Sequence, residues 1–202
     1  MQRARILYAM AEIVVENGYA RTKLKLVTSR AGVSTRAFYE HFGNLEDCFT
    51  TLLDLGTERA KELIAEAFER EDHWQDRARA ALASLLVLFD SEPLLARIWF
   101  VDALAASSWA LERRAHNIAL LRSMIVKRLW PTPRDKQPEP LIVAGIMASI
   151  LGLIHTHLLT KQPTPLIDQL TPRGEEIAQA MSSAAVTTSS SCSRGRGRRA
   201  DA

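Results

Sequence analysis

Cysteine is nearly missing from this chain: two in 202 residues, Cys48 within a helical pattern and Cys192 in a Ser-rich terminal stretch. That excludes a disulfide-stapled scaffold and suits a reducing compartment, so a cytoplasmic protein is expected. Glycine and proline are also sparse, nine and eight, which excludes a collagen-like chain. Sustained strand alternation is absent, and nearly every segment repeats its apolar residues with a helical period. Long hydrophobic runs are scarce. The candidate, Leu141 to Ile154, has no charged residue but falls short of the roughly 20 residues that cross a bilayer. A buried helix, with no membrane partner, is the expectation. No Gly-rich phosphate loop, nucleophile elbow or acid–base pair stands at recognisable spacing, so catalysis is not expected. His155 and His157 point about 200° apart on a helix and cannot share an ion. Neither a metal nor a cofactor is expected.

What is present is an uneven charge. The formal net charge of +3 hides a head, residues 1–45, with seven bases and three acids, and a body, 46–181, with fifteen bases and nineteen acids. Residues 182–202 hold four Arg and one Asp without an apolar period and read as a disordered basic tail. A basic head on an acidic body points to an anionic partner for the head alone.

The spacing predicts an all-α chain. Ile6, Met10, Ile13 and Val14 share one face of a first helix that Asn17-Gly18 ends. A short helix follows at Leu24 to Ala31, then Gly32-Val33-Ser34, then a third helix from Thr35 to Phe42 capped by Ser34. Asn44 caps a fourth that runs to about Arg70. Further helices are expected from an opening at Asp72 and Trp74 to near Asp90-Ser91, from Leu94 to about Ala105, from Trp109 to Trp130 and from about Pro140 to Thr160. A ninth, between Leu166 and Met181, is interrupted at Pro172-Arg173-Gly174.

Two helices of about eight residues joined by a Gly turn have the dimensions of a helix-turn-helix, which sets its second helix in the major groove of DNA. Phe38 and Phe42, four apart, form the inward face of the third helix. Thr35, Arg36, Tyr39 and Glu40 are then left outside, and Lys23, Lys25 and Arg30 add charge for phosphates. The same spacing also occurs in helical proteins that never touch DNA.

At these residues the sequence becomes recognisable. Ala31-Gly32-Val33-Ser34, Phe38-Tyr39 and His41-Phe42, together with the first helix and Gly18-Tyr19, resemble the N-terminal signature of the tetracycline-repressor (TetR) family over about residues 3–50. The resemblance implies a helix-turn-helix DNA-binding domain, residues 1–46, followed by a helical ligand-binding and dimerisation domain, residues 47–181. It implies a homodimer on a near-palindromic operator, released when a small effector enters the body. An activator, a ligand-independent regulator, or a helical small-molecule-binding protein or enzyme without an operator is the alternative. Carried over by position, Ser34, Thr35, Arg36 and Ala37 begin the recognition helix, with Arg36 standing where small residues are frequent. Its guanidinium suits guanine O6 and N7. Tyr39 and His41 match backbone-contacting positions, Lys25 approaches DNA from the second helix, and Asn44 presents the free amides of the fourth. Leu45 stands where the family often has Lys, and Val27-Thr28 where it often has Ile-Ala.

In the body, Phe89, Trp99, Phe100, Trp109, Met124 and Met147 read either as core or as the lining of a cavity for an apolar effector, with Asn117 and His155 as its polar groups. Gly145, Ser149 and Gly152 form a stripe of small residues on the eighth predicted helix. Glycine inside a helix costs roughly 1 kcal/mol, so a second helix should approach there, from this chain or from a partner. The family resemblance favours the partner.

Overall fold

The computed structural model describes residues 1–129, 140–160 and 164–168. The basic tail, Cys192, Trp130 and most of the expected ninth helix lie outside those residues; only its opening at 166–168 is seen, helical. Among the described residues every regular element is helical.

Three helices make the head: α1 (Gln2–Asn17), α2 (Leu24–Ala31) and α3 (Thr35–Tyr39), with a 3₁₀ turn, Tyr19–Arg21, after the first. Helix α1 turns Ile6, Met10, Ile13 and Val14 into the core, as their spacing requires. Gly32 closes α2 with φ 60°, in the left-handed region. A Cβ there would also stand 2.6 Å from Nη2 of Arg5, which donates to the Gly32 carbonyl at 3.1 Å. The left-handed backbone is what favours glycine at this turn; the Arg5 guanidinium ends a flexible side chain and can move aside. Helix α3 is shorter than its spacing predicts, ending at Tyr39 instead of Phe42. The chain still turns helically, since the amides of His41 and Phe42 both donate to the Phe38 carbonyl at 3.0 Å. One carbonyl serving two donors is how a last helical turn tightens and stops.

Helix α4 (Leu45–Arg70) joins head and body. Asn44 Oδ1 accepts the Asp47 amide at 2.8 Å, and Asp47 Oδ2 accepts that of Gly43 at 2.8 Å, a reciprocal cap. Over 26 residues the helix runs about 39 Å. Its first turns bury Cys48, Phe49, Leu52 and Leu53 in a core shared with α1 and α2, and its later turns bury Ile64, Ala67 and Phe68 in a second core. Burial pushes the Cys48 thiol up to about 12, so it behaves as a small hydrophobe.

The body adds α5 (Trp74–Ser91), α6 (Pro93–Arg97), α7 (Ala103–Ala106), α8 (Ser108–Leu129) and α9 (Pro140–Thr160). The single helix expected from Leu94 to Ala105 is interrupted by a π turn, Ile98–Asp102. The extra residue in that turn sends adjacent side chains to different neighbours. Trp99 Nε1 donates to the Leu53 carbonyl of α4 at 3.1 Å. Phe100 meets Phe89 of α5 edge-on with ring centroids 4.9 Å apart.

Helices α4 and α8 are clamped by Asp54. It accepts from Arg113 Nε at 2.7 Å, from a second Arg113 nitrogen, and from buried Asn117 at 3.1 Å. Partial burial alone would raise the Asp54 carboxyl, but the Arg113 and Asn117 hydrogen bonds outweigh it and hold it below the ordinary value. A depressed folded-state value means the clamp stabilises fully above the unfolded aspartate's pKa, about 4, and is lost as pH falls through the folded one. Asp54→Asn should therefore flatten the acid side of the stability curve, read by thermal unfolding between neutral pH and about pH 3. An unchanged acid slope would remove Asp54 from the stability balance.

Candidate nucleic-acid interface and ligand cavity

The caps position the short third helix. Ser34 Oγ accepts the Ala37 amide at 3.1 Å, which fixes where the helix starts. Buried beneath it, Phe38 and Phe42 pack ring to ring at 5.6 Å. With those two inward, Thr35, Arg36 and Tyr39 are exposed, Arg36 by 91% of its side chain and Tyr39 by 55%. Tyr39 stands edge-on to Phe38 at 5.6 Å, so its ring is braced while its hydroxyl end projects. Lys25, Ser34, His41 and Asn44 are exposed as well, and Ala37 is half-buried. Leu45 turns inward and packs on the head core. Buried Thr28 satisfies its hydroxyl on the Lys25 carbonyl at 3.3 Å.

Much of the head's positive charge is engaged within the head. Arg30, expected beside the recognition helix, instead reaches back to α1, pairing with Glu12 at 3.2 Å and Glu16 at 2.8 Å. Arg5 is spent on the Gly32 carbonyl, Arg21 on the Asn17 carbonyl, and Arg3 lies over the Phe42 ring. Among the described residues Lys23 and Lys25 make no ion pair, and Arg36 has only Glu40, 3.4 Å away on the same helix. An exposed pair of that kind is worth little and leaves the guanidinium able to rotate onto another acceptor. The outward cations thus gather at the start of α2 and on α3.

A cavity of about 160 Å³ lies in the body, between α4, α5, the π turn, α8 and α9. Phe89, Trp99, Phe100 and Met147 line it. Four expected lining residues sit elsewhere. Trp109 packs on Tyr19 and Phe49 at 5.3 and 5.9 Å, at the seam of head and body. Asn117 is taken by Asp54. Met124 joins the second core. His155 faces an adjoining cleft, with Nδ1 2.6 Å from the Phe100 carbonyl. Gly56, Leu95, Ile150 and Ile154 complete the wall. Their aliphatic pattern reads like ordinary core, and nothing in the sequence separates a side chain packed on its neighbour from one facing a void.

The small-residue stripe of α9 is left uncovered by the other described residues. Gly145, Ser149 and Gly152 are exposed, and apart from the chain neighbours and the helix's own backbone no described atom lies within 4 Å of a Cβ built on either glycine. Leu141, Leu153 and Leu159 are exposed on the same helix.

Residues 6–52 match the family model described as bacterial regulatory proteins, tetR family. A nucleoid occlusion factor, SlmA of Shewanella baltica, is 26% identical over 117 residues, 58% of this chain and 59% of that protein. The chain thus spans about three-fifths of that relative's length. An uncharacterized HTH-type transcriptional regulator of Mycobacterium bovis is 43% identical over 44 residues, 22% of this chain and 23% of the other. Among solved structures, the regulator FadR of Bacillus subtilis in complex with stearoyl-CoA superposes with a TM-score of 0.70 at 16% identity, covering 89% of this chain and 97% of FadR. A transcriptional regulator of Aquifex aeolicus superposes at 0.67 and 22% identity, covering 87% and 96%. At such identities the structural likeness speaks for the fold, and the head motif speaks for the family. Residues 6–52 thus carry the head of the tetR family of bacterial regulatory proteins, and the described chain as a whole shares its fold with solved bacterial transcriptional regulators.

Proposed function

We propose that the chain is a cytoplasmic repressor that binds a near-palindromic operator as a homodimer and leaves it when an apolar effector enters the cavity of the body. Residues 1–46 form the DNA-binding head in this reading and residues 47–181 the effector and pairing domain. One observation carries it: Thr35, Arg36 and Tyr39 stand exposed over two buried phenylalanines, the arrangement a major-groove helix requires. Thr35, Arg36 and Ala37 read base edges, Lys25, Tyr39 and His41 hold phosphates, and Ser34 and Asn44 set the helix starts that face the backbone.

Pairing through α9 accounts for an otherwise costly surface. The window Val143–Thr160 is apolar enough by length and composition to cross a membrane, yet only 11% of it is buried within the chain. A second copy laid on Gly145, Ser149 and Gly152 covers that face and offsets the glycines.

The test is an electrophoretic shift with the DNA upstream of the protein's own coding region. Arg36→Ala and Tyr39→Ala should each weaken binding by about tenfold, the first with thermal stability unchanged and the second with a loss of no more than about 1 kcal/mol from its contact with Phe38. Arg36→Ala should also relax preference at one base step, whereas Tyr39→Ala should weaken all sequences alike. If both proteins shift the fragment at wild-type concentrations, α3 is not the reading element.

A further inference from the structure

The cleft next to the cavity has a different chemistry. It measures about 410 Å³, lies between α7, α8 and α9, and presents Arg114, Arg122 and His155. Among the described residues no carboxylate pairs with Arg114 or Arg122. Arg114 is seated on the back of the cavity wall: its Nε donates to the Trp99 carbonyl at 2.9 Å and its guanidinium lies 5.4 Å from the Trp99 ring centre. Burial lowers it from the ordinary arginine value, as expected of a desolvated cation without a counter-ion. The Phe100 carbonyl can only accept, so His155 holds a proton on Nδ1 and keeps Nε2 available.

Cavity and cleft share two lining residues, Met147 and Leu151. Both are unbranched at Cβ, and methionine adapts readily to a passing chain. The cavity's walls are apolar except for Arg79, whose charge is paired with Asp76 at 2.7 Å. Its volume is close to that of cavities that take benzene, about 150 Å³, so an alkyl chain much longer than about six carbons cannot lie wholly inside. The wall that the two spaces share, at Met147 and Leu151, offers its remainder a way toward the two arginines.

We propose that Arg114, Arg122 and His155 form the head-group site for an amphiphilic effector, an alkyl or acyl chain ending in a carboxylate or phosphate, whose tail occupies the apolar cavity. This rests on the effector reading above and adds the charge and placement of the ligand's polar end. Gly152 belongs both to the cleft and to the α9 stripe assigned to pairing, which puts the head group at the edge of the dimer seam.

Calorimetric titration of the full chain with decanoate and with decanol, at neutral pH and below micelle formation, separates tail from head. Decanoate should bind roughly tenfold more tightly than decanol. Arg122→Ala, at an exposed position, should erase that preference by weakening decanoate alone, and Arg122→Lys should restore most of it. Equal affinity for the two probes, or equal weakening of both by Arg122→Ala, overturns the head-group site and leaves the cavity as the effector site. Failure of both probes to bind overturns the apolar-effector reading itself, and the head-group site with it.

Discussion

Phe38→Ala should destabilise the protein by about 3–5 kcal/mol and abolish operator binding. Phe38 is fully buried, packed on Phe42 and braced against Tyr39, within a core that includes Val27, Ala31 and the inward face of α1. Removing the ring leaves a void that a five-residue helix cannot close. Against a typical net stability of 5–15 kcal/mol, a loss of that size should separate the head's unfolding from that of the body. Denaturant unfolding followed by circular dichroism measures it. Phe38→Leu should keep most of the stability, because volume is largely conserved. The contrast with Tyr39→Ala is the instructive part. Adjacent residues on one helix should split cleanly, one controlling folding and the other binding. A Phe38→Ala protein with wild-type stability would mean that the head is assembled on other contacts.

Gly56→Ala should uncouple the effector from DNA. A Cβ at this position would lie 2.9 Å from Leu95 Cδ1 and 3.2 Å from Trp99 Cδ1. The Leu95 methyl ends a flexible side chain and can rotate away. Trp99 is held by its hydrogen bond to the Leu53 carbonyl, which also accepts from the Thr57 hydroxyl at 2.9 Å. The added methyl gains about 1 kcal/mol of helix propensity and loses about 1–3 kcal/mol to crowding, so the folded state should survive, somewhat weakened. Leu95 and Trp99 line the cavity, and their displacement takes space from any ligand. Because α4 carries both the cavity wall and the first contacts to the head, the strain falls on the element that both sites share. Decanoate affinity should fall about tenfold while operator affinity in its absence changes little, so that a ligand concentration just sufficient to release the wild-type protein no longer releases the variant. Parallel losses in both affinities would show a general loosening of the fold and not a lever.

The legible part of this protein was local. Ser34, Gly32, Asn44 and Gly18 act within one turn of their own position, through caps and backbone conformations that side-chain chemistry dictates. Their positions ended α1 and α2 and located the starts of α3 and α4. The four-residue spacing of Phe38 and Phe42 likewise decided which face of α3 is left to solvent, and with it the candidate interface.

The illegible part was everything that depends on which apolar face meets which. Trp99 and Trp109 have the same composition and comparable surroundings along the chain, yet one lines a cavity and the other seals the head to the body. Arg30 lies beside the recognition helix in sequence and is drawn back to Glu12 and Glu16 across α1. Asn117 found a carboxylate 63 positions away.

By itself, then, the sequence determined most of the helices, the starts of α3 and α4 and the exposed face of α3, because those follow from forces reaching no further than a turn or two; the end of α3 and the π turn at Ile98–Asp102 did not show in it. The tertiary structure decided which arginines remain available, where the void sits and that it shares the wall of Met147 and Leu151 with the cleft of Arg114 and Arg122. Burial, charge pairing and cavities are properties of surfaces brought together from distant parts of the chain, and no local spacing encodes them.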